Sequence, residues 1–299
     1  MRKINNYLSL IKFSHTIFAL PFALLGFSIG VFQLKNDNQN GWGVIQSYFR
    51  QNYTVFIFIV LCMVFARSAA MAFNRYLDRE FDAKNPRTAI REIPSGIISA
   101  SSALRFTLLN TILFFASAYM INFTCFFLSP IALIVILGYS YTKRFTSLCH
   151  LVLGLGLSLA PAGAFIAVTE TMIPSVFFLS LAVIGWVAGF DIIYSLQDDQ
   201  FDASQGLFSI PSRLGRAKAL SFSRMMHLAT ALLIIAAGLQ FNFNLIYFIG
   251  AILFIGLLAI QQSLVKPNDL SKVNIAFMTT NGIASIVFSI FAIADLMIY

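Results

Sequence analysis

The chain has 299 residues, of which 59% are hydrophobic and 11% charged, and its net charge is +8. A soluble domain does not carry that much apolar surface, so the composition excludes a soluble enzyme and indicates a polytopic membrane protein. The positive charge is spread over loops instead of forming one basic face, which points to anionic lipid headgroups of a bilayer and to no nucleic acid.

Charge-free runs locate the spans, at about 20 residues per crossing. Residues 13–34 form the first; with Pro21 and no Ala-x-Ala end, it reads as a retained helix and not as a cleaved signal peptide. The second opens at 51–66 and continues amphipathically to Leu77. The run 106–142 holds two helices joined near Asn122, and 145–169 and 171–190 give one each, the latter continuing towards Asp198. Residues 225–265 again hold two, turning near Gln240–Asn244, and 273–294 give the last. The expectation is an all-α protein with nine transmembrane helices forming one domain over 1–299.

With the N-terminus cytoplasmic, the 20 Lys and Arg residues sort strongly by side. Only Lys35 and Arg50 fall outside, and Arg67 lies within span two. Such asymmetry supports both the count and the orientation. Cys62, Cys125 and Cys149 lack metal-ligand spacing and read as small core residues.

A six-residue acidic segment occurs twice, each time where an apolar helix runs out: Asp78-Arg-Glu-Phe-Asp82-Ala83 and Asp198-Asp-Gln-Phe-Asp202-Ala203. Ile-Pro-Ser follows both, at Ile93 and at Ile210. Of the 12 Asp and Glu residues, Asp78, Glu80, Asp82, Asp191, Asp198, Asp199 and Asp202 belong to these two acidic segments and the helix end leading into the second; the motifs as a whole, which also take in Glu92, span 74–96 and 191–215. Asn74, Asp78 and Asp82 recur every fourth residue and so share a helix face; Asp191, Ser195, Asp198 and Asp202 do the same at steps of four, three and four. Two such faces turned together suit Mg2+, whose remaining positions go to phosphate oxygens and water. The duplication therefore suggests a metal-assisted site for a polyanion, with diphosphate as the candidate. Arg87, Arg91, Lys143 and Arg213 are basic candidates to complete the clamp. Glu80 and Asp199, off the main face, read as partners of neighbouring arginines. A divalent-cation transporter is the competing class, but transporters set such acids near the bilayer midplane, whereas these sit at its border beside a basic loop.

Four motifs in order carry a resemblance: Asn74-x3-Asp78-x3-Asp82, Arg87-Thr88 with Arg91 and Pro94-x-Gly96, Tyr139-x3-Lys143, and Asp198-x3-Asp202. Together with nine helices they resemble the UbiA superfamily of intramembrane aromatic prenyltransferases over nearly the whole chain. His15-Thr16-x-Phe18-Ala19-Leu20-Pro21-Phe22 and Asn85-Pro86-Arg87-Thr88 are most similar to its 4-hydroxybenzoate polyprenyltransferase branch. That branch includes relatives that prenylate a dihydroxynaphthoate for menaquinone. The chain departs from the pattern at Glu92-Ile93, where a proline-leucine pair often follows the arginine.

The resemblance implies transfer of a polyprenyl group from polyprenyl diphosphate to a hydroxylated aromatic acid, for ubiquinone or menaquinone, with the active site on the cytoplasmic side of a bacterial-type inner membrane. Asn74, Asp78, Asp82, Asp198 and Asp202 would coordinate Mg2+, while Lys143, Arg87 and Arg91 stabilise the departing pyrophosphate. Tyr139 would face the allylic cation or bond to phosphate. Asp191 would orient the phenol, accept a proton, or simply bond to Ser195 or Tyr194. Arg67 would bind the acceptor carboxylate or pair with Asp191 or another acid of the cluster. His15 would contact the acceptor or pack. His150 and His227 show no partner pattern, and the residues carry no signal for oligomeric state or tail length. The tail needs a dry, elongated groove; the Phe-rich spans could supply it, but phenylalanines facing lipid would give the same pattern, so the abundance of phenylalanine does not decide between the two.

Overall fold

The computed structural model describes residues 2–11, 18–34 and 41–299; His15, Lys12 and Lys35 lie outside them. α1 (Arg2–Leu10) precedes the apolar runs, and its Leu10 is buried with Ala72, Ile98 and Ala103. α2 (Leu20–Gln33) starts on Pro21, whose fixed φ and missing N–H suit a first helical turn. α3 (Gly41–Lys84) extends further back than the apolar run indicates and breaks at Asn52 (φ −130°, ψ 24°), so a short helical arm precedes the span. α4 (Ala100–Ile121) and α5 (Phe123–Thr142) meet at Asn122. Its side chain accepts from Cys125 N at 2.7 Å, capping α5 at the joint expected from sequence.

α6 (Cys149–Thr169) ends at Glu170, whose φ is 56°, and α7 (Pro174–Ser195) again begins on proline. The six-residue α8 (Asp199–Ser204) follows. α9 (Ile210–Gln240) opens with a capping box between Ser209 and Ser212 and is interrupted at Gly215, a left-handed position (φ 75°) that glycine adopts at no steric cost. α10 (Leu245–Leu264) and α11 (Asn281–Ile298) complete the chain, a π-helical turn (Ile275–Thr280) leading into α11. Among the described residues eight helices are long and apolar enough to cross a membrane, and α2, at 14 residues, is a shorter apolar helix; together they agree approximately with the expected nine.

α7 is the centre of the bundle: 67% of its apolar window is buried, against 17% for α5, which mostly faces outward. Trp186 of α7 packs against Phe22, Phe190 and Phe254, while its indole N–H donates to Asn281 at 2.8 Å. Where no water competes, small residues let helix backbones approach closely. Gly26 of α2 is such a point, because a Cβ there would run into the Pro161 backbone of α6. At the far end, buried Asp295 of α11 accepts from Asn244 N at 2.8 Å and Tyr247 N at 3.1 Å, satisfying orphan amides at the start of α10.

Candidate active site

An apolar cavity of about 420 Å³ lies among α3, α4, α5 and α6, reaching Ala19 at the start of α2. Its lining runs along α5 from Tyr139 to Cys125, a rise of about 21 Å at 1.5 Å per residue. Alanine, glycine and aliphatic side chains make up most of the wall, and Phe114 is the one phenylalanine among the described residues that line it. Of the two readings open for the phenylalanines, packing and lipid contact therefore outweigh cavity lining. Phe22, Phe165, Phe254 and Phe288 fill the core behind the cavity, while Phe123 and Phe127 face outward. Small side chains leave room for a ligand, and rings would close it.

Arg67 and Tyr139 line this cavity at its end towards the acidic motifs. Among the described residues Arg67 forms no ion pair, and its Nε is buried without a hydrogen-bond partner. Tyr139 lies within electrostatic reach of Arg67, Asp78 and Asp191. The alternative in which Arg67 braces Asp191 is not realised, because Asp191 is held by a histidine.

The first acidic motif ends α3. Asn74 donates to Asp78 at 3.2 Å, so these residues share the face that their spacing predicts. Asp78 is buried and also receives Lys143 at 2.8 Å and Arg144 at 3.0 Å. Asp82 receives Arg91 at 2.6 Å through Oδ1, while its buried Oδ2 has no partner. The following loop is shaped locally: Asn85 Oδ1 accepts from Arg87 N at 3.0 Å, and Thr88 donates to the Asp82 carbonyl at 3.1 Å. These bonds aim Arg87 back across the site.

The second motif differs from its predicted form. α7 stops at Ser195, and tight bonds from Leu196 to Ile193, Gln197 to Tyr194 and Asp198 to Ser195 turn the chain before α8 starts. Asp198 is thus the residue before a new helix, and Asp191 and Asp202 do not lie on one continuous face. The turn brings Asp198 to the first motif instead. Arg87 forks onto its two oxygens through Nε (2.9 Å) and Nη2, and Asn85 donates at 3.0 Å. Asp202 bonds to Ser209; burial lifts its carboxyl to about 6, Asp198 adding to the rise and Lys143 opposing it. Phe208 N donates to the Lys143 carbonyl at 2.6 Å, pinning the α8–α9 loop to the α5–α6 loop.

The two motifs are therefore linked through Arg87 and Asn85 of the first loop, which hold Asp198, while Lys143 and Arg144 of the middle loop hold Asp78. Among the described residues no three acidic, histidine or cysteine side chains converge as a ready metal centre. The donors still fit a hard divalent cation. They are oxygens, they come in small numbers from each motif, and the unpartnered buried oxygen of Asp82 is a ligand in waiting. Mg2+ is commonly held by one or two carboxylates with phosphate oxygens and water, without an all-protein cage.

Other predicted residues are placed differently. Arg213 is exposed over the Phe208 ring (3.9 Å) and reaches no carboxylate. Glu80 pairs with Arg79 and Asp199 with Arg216. Two site residues escaped the sequence reading. Arg144 was counted only as a loop cation, although its place beside Lys143 was the available signal. His150 Nδ1 lies 2.7 Å from Asp191, a contact between α6 and α7 that no local spacing encodes. His227 bonds to the Trp186 carbonyl and to Gln262 and is a packing histidine.

Residues 41–283 match the UbiA prenyltransferase family. The chain is 31% identical over 238 residues to 4-hydroxybenzoate octaprenyltransferase of Aliivibrio salmonicida, covering 79% of this chain and 83% of that protein. To its Vibrio cholerae counterpart it is 31% identical over 227 residues, covering 76% and 80%. Among solved structures, a UbiA homolog from Aeropyrum pernix K1 superposes with TM-score 0.76 at 29% identity, covering 95% of this chain and 97% of that one. A UbiA homolog from Archaeoglobus fulgidus bound to GPP and Mg2+ shares the fold, with TM-score 0.72 at 21% identity and 97% and 99% coverage. The matched family, the membrane-crossing helices and the shared fold together identify this chain as a member of the UbiA prenyltransferase family, an integral-membrane prenyltransferase.

Proposed function

We propose that this protein transfers a polyprenyl group from its diphosphate to a hydroxylated aromatic carboxylic acid of the 4-hydroxybenzoate type, with Mg2+, in quinone biosynthesis. The observation that carries this reading is an apolar cavity that ends at Arg67 and Tyr139 beside a rim of paired bases and carboxylates. The names of the Aliivibrio and Vibrio relatives support the acceptor, and the Archaeoglobus homolog with GPP and Mg2+ supports the donor and cation. Loop charge supports a cytoplasmic active site in a bacterial-type inner membrane.

Arg87, Arg91, Lys143 and Arg144 take the diphosphate, exchanging carboxylate oxygens for phosphate oxygens. The cavity holds the isoprenoid tail and keeps water from the reacting carbon. The allylic C–O bond breaks with its electron pair leaving on the diphosphate, whose growing charge the fixed cations stabilise. Asn74, Asp78, Asp82, Asp198 and Asp202 would hold Mg2+, which would supply Lewis-acid neutralisation of that leaving group. A ring carbon of the phenol forms the new C–C bond to the allylic carbon and then loses its proton, restoring aromaticity. Arg67 binds the acceptor carboxylate, and Asp191 orients its hydroxyl.

Pyrophosphate release by purified protein in nanodiscs tests the reaction class. Release from geranyl diphosphate should require both an aromatic acid and Mg2+, stop in chelator, and return when Mg2+ is restored. Full release in chelator, or release indifferent to acceptor, contradicts the reading.

A further inference from the structure

His150 is 2% exposed at the start of α6, and its two ring nitrogens have different partners. Nδ1 lies 2.7 Å from Asp191 Oδ2, and Nε2 lies 3.3 Å from the backbone N of Ile210, the first residue of α9. A backbone N–H only donates, so Nε2 is the acceptor. The neutral ring has one proton, which must then be on Nδ1 and directed at the carboxylate. A second proton on Nε2 would face the Ile210 N–H and lose that bond. The ring is thereby fixed as a donor to Asp191 and has no free nitrogen through which to pass a proton onward.

The exposures give the direction of the arrangement. The His150 side chain is 3% exposed and that of Asp191 23%, so the histidine backs a carboxylate that the site can reach. Ile210 directly follows Ser209, the partner of Asp202, so one imidazole ties α6 and α7 to the α9 end of the second acidic motif. We infer that His150 is a positioning residue, which holds the Asp191 carboxylate aimed at the hydroxyl of the aromatic acceptor without itself exchanging a proton in the reaction. This inference rests on the acceptor reading proposed above.

Two substitutions and one spectrum test it. Glutamine can donate to Asp191 through its amide N–H and accept from Ile210 through its carbonyl, whereas leucine can do neither. With geranyl diphosphate and 4-hydroxybenzoate, His150→Leu should lower kcat/KM for the acceptor about tenfold or more, the worth of one charge-assisted hydrogen bond, and leave the donor KM within about twofold. His150→Gln should recover most of that loss. Nitrogen-15 NMR of histidine-labelled wild type in nanodiscs at neutral pH should show His150 protonated on Nδ1 and unprotonated on Nε2. Unimpaired His150→Leu would overturn the inference, as would His150→Gln failing as badly as leucine, since the ring would then be needed for its own proton chemistry. A loss shared equally by donor and acceptor would mark a packing role and overturn it too. If the wild type transfers to no aromatic acid, the functional reading falls, and the spectrum alone then decides the pair: a ring protonated on Nε2 overturns the lock.

Discussion

Asp78 illustrates how single residues carry the site. Its carboxylate is buried, yet Asn74, Lys143 and Arg144 all reach it, so the charge is compensated where an isolated one would be costly. Asp78→Ala should reduce turnover about a hundredfold or more, because it removes charge organisation needed as the diphosphate leaves. Lys143 and Arg144 keep some contact with solvent (30% and 25% exposed side chains), so folding should survive. Glu80→Ala should have little effect; equal losses in steady-state assays of the two variants would contradict these roles. Asp202 gives a pH signature. Its raised carboxyl means that the folded protein keeps a proton that the unfolded chain has released between about pH 4 and 6. That stabilisation is full below about pH 4 and lost as pH rises through about 6. In chelator at pH 7, Asp202→Asn should therefore unfold less readily than wild type, by about 1 kcal/mol after solvent screening, and the gain should vanish below about pH 4. A variant less stable at pH 7 in detergent melts would contradict the assignment. Arg67→Leu should raise the acceptor KM about ten- to a hundredfold and penalise a phenol lacking the carboxylate far less. An unchanged preference between the two acceptors in competition assays would remove Arg67 from acceptor binding.

At the scale of elements, the sequence was most legible where one helix carries the pattern. Asn74, Asp78 and Asp82 share a face because α3 continues unbroken through them to Lys84. The second motif has similar spacing, but the turn at Leu196–Gln197 places Asp191 and Asp202 on separate helices. Spacing cannot reveal a helix end that tertiary contacts impose, and for the same reason the bonds from Arg87 to Asp198 and from His150 to Asp191 were not visible in it. The lining of the cavity is not legible in composition: phenylalanine is abundant, but the helices turn mostly small and aliphatic residues towards the space. Gly163 of α6 lines that space, and a side chain added there would meet nothing within 4 Å. Gly163→Leu should fill part of the deep cavity, weakening use of long-chain polyprenyl diphosphates while sparing geranyl diphosphate. An equal effect on both donors in KM measurements would separate the cavity from the tail.

Across the whole molecule, the order of the apolar runs matches the order of the helices. The orientation is directly testable. In a background without Cys62, Cys125 and Cys149, single cysteines at Asn85 and Gln205 should react with impermeant reagent only from the cytoplasm, and one at exposed Asn242, in the α9–α10 turn, only from outside. Labelling of Asn85 and Asn242 from the same face would contradict the arrangement. What the fold leaves to chemistry is the acceptor. The central claim is best tested by the product itself: purified protein, Mg2+, a labelled polyprenyl diphosphate and equal 4-hydroxybenzoate and dihydroxynaphthoate, with products resolved by mass. We expect a carbon-prenylated aromatic acid with the carboxylate retained, formed in step with pyrophosphate. Prenyl alcohol and pyrophosphate alone, with neither acid prenylated, would contradict the account.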